Sequence, residues 1–117
     1  MSTIPRRLHI KVSERDVQRQ ILQYLALKRI WTIRHNTGAA LIESSGKRRF
    51  VRFGTPGLAD IVAFTPGGQV VWIEVKSERG KQTEIQKEFQ LKAEKHQHHY
   101  VLAKRVEDLY PLFGGVK

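Results

Sequence analysis

A chain of 117 residues has the length of one domain, and residues 1–117 are read as a single unit. Its hydrophobic share of 40% is enough for a core, but runs such as Ile61-Val62-Ala63-Phe64 and Val70-Val71-Trp72-Ile73 are strand-sized, far below the ~20 apolar residues of a membrane span. The absence of cysteine excludes disulfides and thiolate metal sites, and a net charge of +10 points to a polyanionic partner; an anionic membrane surface would fit that charge too, but no predicted helix is basic on one face and strongly apolar on the other, so neither a membrane nor a small-molecule cofactor is expected.

Residues 1–12 read as a basic N-terminal arm carrying Arg6, Arg7 and Lys11. No apolar run follows those charges, so a signal peptide is not expected and a cytoplasmic location is. Ser13 is a good N-cap, with Glu14 and Asp16 in the first turn where the helix dipole favours negative charge. Val17, Ile21, Tyr24, Leu25 and Leu27 then recur at roughly helical spacing, which predicts a helix from about Glu14 to Lys28. Ile30-Trp31-Thr32-Ile33-Arg34 has the β-branched and aromatic content of a strand, broken by Asn36-Thr37-Gly38. Residues 39–53 can hold a hairpin turning at Ser44-Ser45-Gly46.

Gly54-Thr55-Pro56-Gly57 is a loop by composition. Ala59–Thr65 and Gln69–Lys76 read as strands joined by the tight turn Pro66-Gly67-Gly68, hence an antiparallel hairpin. After the polar connection Ser77–Lys81, Thr83 caps a helix to about Lys95, with Ile85, Phe89 and Ala93 on one face. His98–Ala103 reads as a last strand and Val106–Phe113 as a short closing helix before Gly114-Gly115. The clear elements run α-β-β-β-α-β-α: a mixed α/β (α+β) domain with a central sheet flanked by helices.

Two carboxylates, Asp60 and Glu74, lie in the most apolar stretch, which holds no Lys or Arg between Phe53 and Val75. A buried, unpaired carboxylate is costly, so a cation or a salt bridge must compensate it. Glu74 and Lys76 are two residues apart on one strand and share a face. Asp60 opens the paired strand, within reach of Glu74 if the register allows. Two carboxylates and the backbone carbonyl of Val75 would make a hard oxygen site for Mg²⁺ or Mn²⁺. Lys76 would then act on the attacking water or on charge developing at a phosphate. A Glu-x-Lys pattern alone would more simply be a same-face ion pair on an exposed strand; the Asp at hairpin distance weighs against that.

Gly54-Thr55-Pro56-Gly57-Leu58-Ala59-Asp60 followed by Ile73-Glu74-Val75-Lys76 resembles the PD-(D/E)xK nuclease superfamily, and within it the stand-alone VRR-NUC domain of phage and bacteria. The resemblance covers nearly the whole chain, and the order and spacing of the motifs are more specific than any one of them. Ala59 departs from the proline that usually precedes the aspartate, a change that removes rigidity but no ligand. The resemblance implies a restriction-endonuclease-like sheet and an Mg²⁺- or Mn²⁺-dependent endodeoxyribonuclease. It further implies that Glu14 joins the metal site from the first helix and that Gln86 reaches it from the second. For each of these two, an ordinary role as dipole partner or solvated helix residue weighs about equally. A homodimer cutting branched DNA such as four-way junctions is implied as well.

Lys47, Arg48, Arg49 and Arg52 cluster beside the predicted turn and suit phosphate contacts, as do Arg6 and Arg7 of the arm. Arg79 and Lys81 follow the Glu-x-Lys strand and would sit beside a scissile phosphate; each group can equally be a solvated surface. His96-Gln97-His98-His99 lacks a second ligand cluster and reads as structural or surface. His35 follows a predicted strand and could lie near DNA, without a fixed role, and Trp31 and Trp72 read as core or dimer residues. The competing functions are a non-catalytic basic DNA-binding module and a sequence-specific restriction-type enzyme. An RNA substrate also fits the charge.

Overall fold

A computed structural model describes residues 12–35, 39–44, 46–52 and 54–115, and of 39–44 and 49–52 the backbone alone. Arg6, Arg7 and Lys11 of the predicted arm lie outside the described residues, as does the Asn36-Thr37-Gly38 break. Among the described residues the order is α1 (Glu14–Leu27), β1 (Trp31–Arg34), β2 (Ala39–Ser44), β3 (Lys47–Arg52), β4 (Ile61–Phe64), β5 (Val70–Val75), α2 (Glu84–Lys95), β6 (His99–Ala103), a 3₁₀ turn (Val106–Leu109) and α3 (Tyr110–Phe113). This is a mixed α+β fold, with the expected hairpin present as β2–β3 in a sheet of its own.

The main sheet runs β1-β4-β5-β6. β4 pairs antiparallel with both β1 and β5, and β5 pairs parallel with β6. The β4–β5 turn closes through Gly68 N–H donating to the Thr65 carbonyl at 2.9 Å, with Gly68 at φ 87°. That left-handed conformation is open to glycine at little cost. The parallel β5–β6 pair needs a crossover, and α2 supplies it.

Alternation along the strands separates the two faces. Val71, Ile73, Val75, Ile61 and Ala63 meet Val17, Ile21, Tyr24 and Leu25 of α1 in the core. Leu27, assigned to the helical stripe by spacing, is instead 78% exposed, past the end of the buried face. The Ser13 cap is as expected, its Oγ accepting from Asp16 N–H at 3.1 Å. The opposite sheet face carries Trp72 and Glu74 and is covered by α2, with Phe89 edge-on to Trp72 at 5.0 Å. On α2, Ala93 is buried and Phe89 half-buried, while Ile85 is exposed.

Two further expectations change. Trp31 is 66% exposed, so it is not a core residue, although its ring packs on Phe64 at 4.4 Å. The closing helix is split into a 3₁₀ turn and one turn of α3. Pro111 stands in that first turn of α3, a position its fixed φ and missing N–H suit. The chain end is fastened to α1: Tyr24 Oη donates to the Gly114 carbonyl and Lys28 Nζ to that of Gly115. No helix among the described residues is long and apolar enough to cross a membrane.

Candidate active site

The hairpin register aligns Ile61 with Ile73. One step back, Asp60 falls opposite Glu74, on the face away from the α1 core. Asp60 itself precedes the strand, held at both ends of its residue. Its carbonyl accepts from His35 N–H at 2.7 Å, and its Oδ2 accepts from Val75 N–H at 2.8 Å. N–H and C=O of one strand residue point to the same side, which turns the Val75 carbonyl toward Asp60 as well.

Glu74 is 2% exposed. Its Oε2 accepts from Gln86 Nε2 at 2.9 Å and lies 3.6 Å from Lys76 Nζ. Its Oε1 is buried without a hydrogen-bond partner. Burial pushes the Glu74 carboxyl up to about 8, helped by the charge of Asp60 and, less, of Glu14, and opposed by Lys76. Asp60 is raised too, again chiefly by burial, against the Val75 N–H, the charge of Lys76, the hydrogen bond that a protonated Glu74 can donate and the charge of Arg34. Two desolvated carboxylates facing each other disfavour double ionisation, the ordinary consequence of like charges at one site.

Gln86 reaches Glu74 because its position is fixed twice. Thr83 Oγ1 accepts from Gln86 N–H at 3.2 Å, and Gln86 Oε1 accepts from Thr83 N–H at 2.9 Å. This is a reciprocal capping box, and it leaves the Nε2 end of the amide free to donate to Glu74. The loop before Asp60 approaches the same helix end. A Cβ on Gly57, at φ 76°, would lie 2.5 Å from the Ile85 carbonyl oxygen.

The structure thus brings Asp60, Glu74, Lys76 and Gln86 together. Glu14 is exposed at the start of α1 and acts on Glu74 through charge. No group of three or more His, Cys, Asp or Glu among the described residues gathers closely enough to hold a metal ion. Arg79 and Lys81 are exposed on the connection after Lys76, and Lys47 and Arg48 are exposed on the β2–β3 hairpin. Of Arg49 and Arg52 only the backbone is described, in β3.

A hydrogen-bonded layer lies beneath the site, with contacts that sequence spacing does not show. His35 Nδ1–H donates to the Ala59 carbonyl at 2.9 Å, and its ring stacks on Trp72 with centroids 6.1 Å apart. Trp72 Nε1–H in turn donates to His98 Nδ1 at 2.9 Å, which gives His98 a structural role. Arg34, beside Asp60 in the β1–β4 register, was equally invisible from spacing alone.

The donor set suits a hard divalent cation. Glu74 Oε1 is a buried oxygen that lacks a partner, in a class of atom that normally has one. It lies across from a second carboxylate and beside a strand-end carbonyl, and oxygen-only sites of this kind favour Mg²⁺ or Mn²⁺. Compared with known protein families, with characterised proteins and with solved structures, the chain matches none.

Proposed function

We propose that the chain is an Mg²⁺- or Mn²⁺-dependent DNA endonuclease of the PD-(D/E)xK kind, similar to VRR-NUC domains. The observation that carries the reading is the unpartnered Glu74 Oε1, buried opposite Asp60 with Lys76 Nζ at the same carboxylate. Asp60, Glu74 and the Val75 carbonyl would hold the cation. When bound, such an ion lowers the pKa of a water ligand and stabilises charge on a phosphate oxygen. Lys76 holds a positive charge at the Glu74 carboxylate, where it can meet an attacking water or the developing phosphate charge. Gln86 orients Glu74, and Glu14 adds negative charge from the end of α1.

The net charge of +10 supports a nucleic-acid substrate. Preference for branched DNA, action as a homodimer and a cytoplasmic setting in a bacterial or phage-infected cell belong to the same proposal and rest on the motif resemblance. Labelled four-way junction, flap and linear duplex DNA, and a matching RNA, incubated with Mg²⁺, Mn²⁺ or EDTA, test it. Metal-dependent cutting that Lys76→Ala slows by about 10²-fold is expected, the usual loss when a charge-stabilising group is removed. Tight binding with no cutting of any substrate would leave a basic DNA-binding module in which Lys76 and Glu74 are only a buried ion pair.

A further inference from the structure

We propose that a cleft between one face of α1 and the end of β1 is a second DNA contact, a seat for the phosphate backbone of duplex leading away from the Asp60–Glu74 site. This inference rests on the nuclease reading of that site and adds a binding surface to it. The cleft has a volume of about 610 Å³, and Arg15, Gln18, Arg19, Gln23 and Arg34 supply its polar lining. Arg15, Gln18, Arg19, Leu22, Gln23 and Ala26 follow helical spacing, so they form one stripe along α1. No acidic residue lines it.

Its cations are not equally committed. Arg19 spends its charge on Asp16 at 2.5 Å. Arg15 and Arg34 form no ion pair among the described residues, and both are exposed. Guanidinium groups are well matched to phosphate oxygens, and the glutamine amides add neutral donors of the kind that fix register on a duplex. The stripe from Arg15 to Ala26 extends about 16 Å at the helical rise, which corresponds to roughly five base pairs of DNA axis.

The cleft also reaches toward the site at its Arg34 end. Arg34 pairs with Ile61, the residue after Asp60, and is close enough for its charge to act on the Asp60 carboxyl. Arg15 follows Glu14, whose charge acts on Glu74. The Arg34 end of the cleft is therefore the end nearer Asp60, and the arginine-lined stripe runs along the body of α1.

Fluorescence anisotropy of a labelled duplex of about 20 base pairs tests the seat, titrated in EDTA over a series of NaCl concentrations. Arg15→Ala/Arg34→Ala should bind about tenfold more weakly near 0.1 M salt, with a log–log salt slope shallower by about 2. Arg15→Lys/Arg34→Lys should keep most of that slope, because the charge remains. Lys92→Ala/Arg105→Ala, outside the cleft, should match wild type. An unchanged slope in the Arg→Ala pair, with circular dichroism showing it folded, overturns the seat while wild-type cleavage leaves the nuclease reading standing. Salt-sensitive binding that needs Arg15 and Arg34, from a protein that cuts nothing with Mg²⁺ or Mn²⁺, upholds the seat and overturns the nuclease reading. A wild-type protein that binds no DNA overturns both.

Discussion

Asp60 is fastened to the strand that carries Glu74: its Oδ2 accepts the Val75 amide proton at 2.8 Å. The bond fixes the distance between the two carboxylates without using either oxygen of Glu74. It also makes Asp60→Asn a clean probe, because the asparagine carbonyl oxygen can accept the same proton. Asp60→Asn and Glu74→Gln should each cut DNA at least about 10²-fold more slowly, since each removes an anionic ligand from the cation. Duplex binding in EDTA should persist or tighten, as both changes remove negative charge. Loss of folding by circular dichroism together with loss of binding would show that the pair is structural instead.

The raised pKa of Glu74 sets a pH dependence whose sign can be worked out. The ordinary carboxyl value is 4.5, and in the fold it is pushed to about 8 by burial and by Asp60. Between these values the folded protein holds a proton that the unfolded chain has released. Stability from this group is therefore complete below about 4.5 and lost as pH rises through about 8. Glu74→Gln should flatten that part of the stability curve. A divalent cation competes with the proton for the same oxygens, so it should raise the melting temperature more at about pH 8.5 than at about pH 6. Thermal melts across pH, with Mg²⁺, Mn²⁺ or EDTA, measure both effects. A cation effect independent of pH, or unchanged in Glu74→Gln, would remove Glu74 from the binding site.

Gln86 does two things that substitution can separate. Its Oε1 and backbone N–H complete the capping box with Thr83, and its Nε2 donates to Glu74 Oε2. Gln86→Glu keeps an oxygen for Thr83 N–H but places a carboxylate against Glu74. It should retain the helix cap, push the Glu74 titration still higher and slow cleavage. Gln86→Ala keeps the Thr83 Oγ1 cap on its own N–H but loses the side-chain bonds to Thr83 N–H and Glu74, and should cost about 1 kcal/mol of stability for the lost bond to Thr83. Chemical denaturation and pH–rate profiles of the two variants distinguish them. Equal pH profiles for Gln86→Glu and wild type would assign Gln86 to the cap only.

Much of this arrangement was legible locally. Pro66-Gly67-Gly68 between two apolar runs announced the hairpin, and the period of 2 put Glu74 and Lys76 on one face. Thr83 was readable as the N-cap; the reciprocal bond from Gln86, which explains why Gln86 points inward, came only with the structure. Register was not readable: Asp60 opposes Glu74 only because Ile61 pairs with Ile73, and a one-residue slip would have put it on the α1 face. The β1–β4 pairing that brings Arg34 and His35 to Asp60 joins segments far apart in sequence, which no local pattern encodes. Leu27 and Trp31 misled for another reason. Apolar identity is a one-way guide, since a small domain always leaves some large apolar residues outside.

Gly57 is where the loop bearing Asp60 is pressed against the helix bearing Gln86. Its φ of 76° already disfavours any side chain, and a Cβ there would lie 2.5 Å from the Ile85 carbonyl oxygen and 2.8 Å from Ile85 Cγ2. Backbone oxygen cannot swing aside, so Gly57→Ala must move the loop, the first turn of α2, or both. Gly46 supplies the matched control: its φ is 74°, but a Cβ would meet nothing within 4 Å. Gly46→Ala therefore carries the conformational cost alone, about 1–3 kcal/mol for a residue held in the left-handed region. Gly57→Ala should lose more stability than Gly46→Ala in parallel urea melts. It should also slow cleavage by up to about 10²-fold, because Asp60 and Gln86 would shift relative to one another, whereas Gly46→Ala should cut DNA at the wild-type rate. Equal stability losses and equal rates for the two variants would mean that the close approach at Gly57 does not position the site.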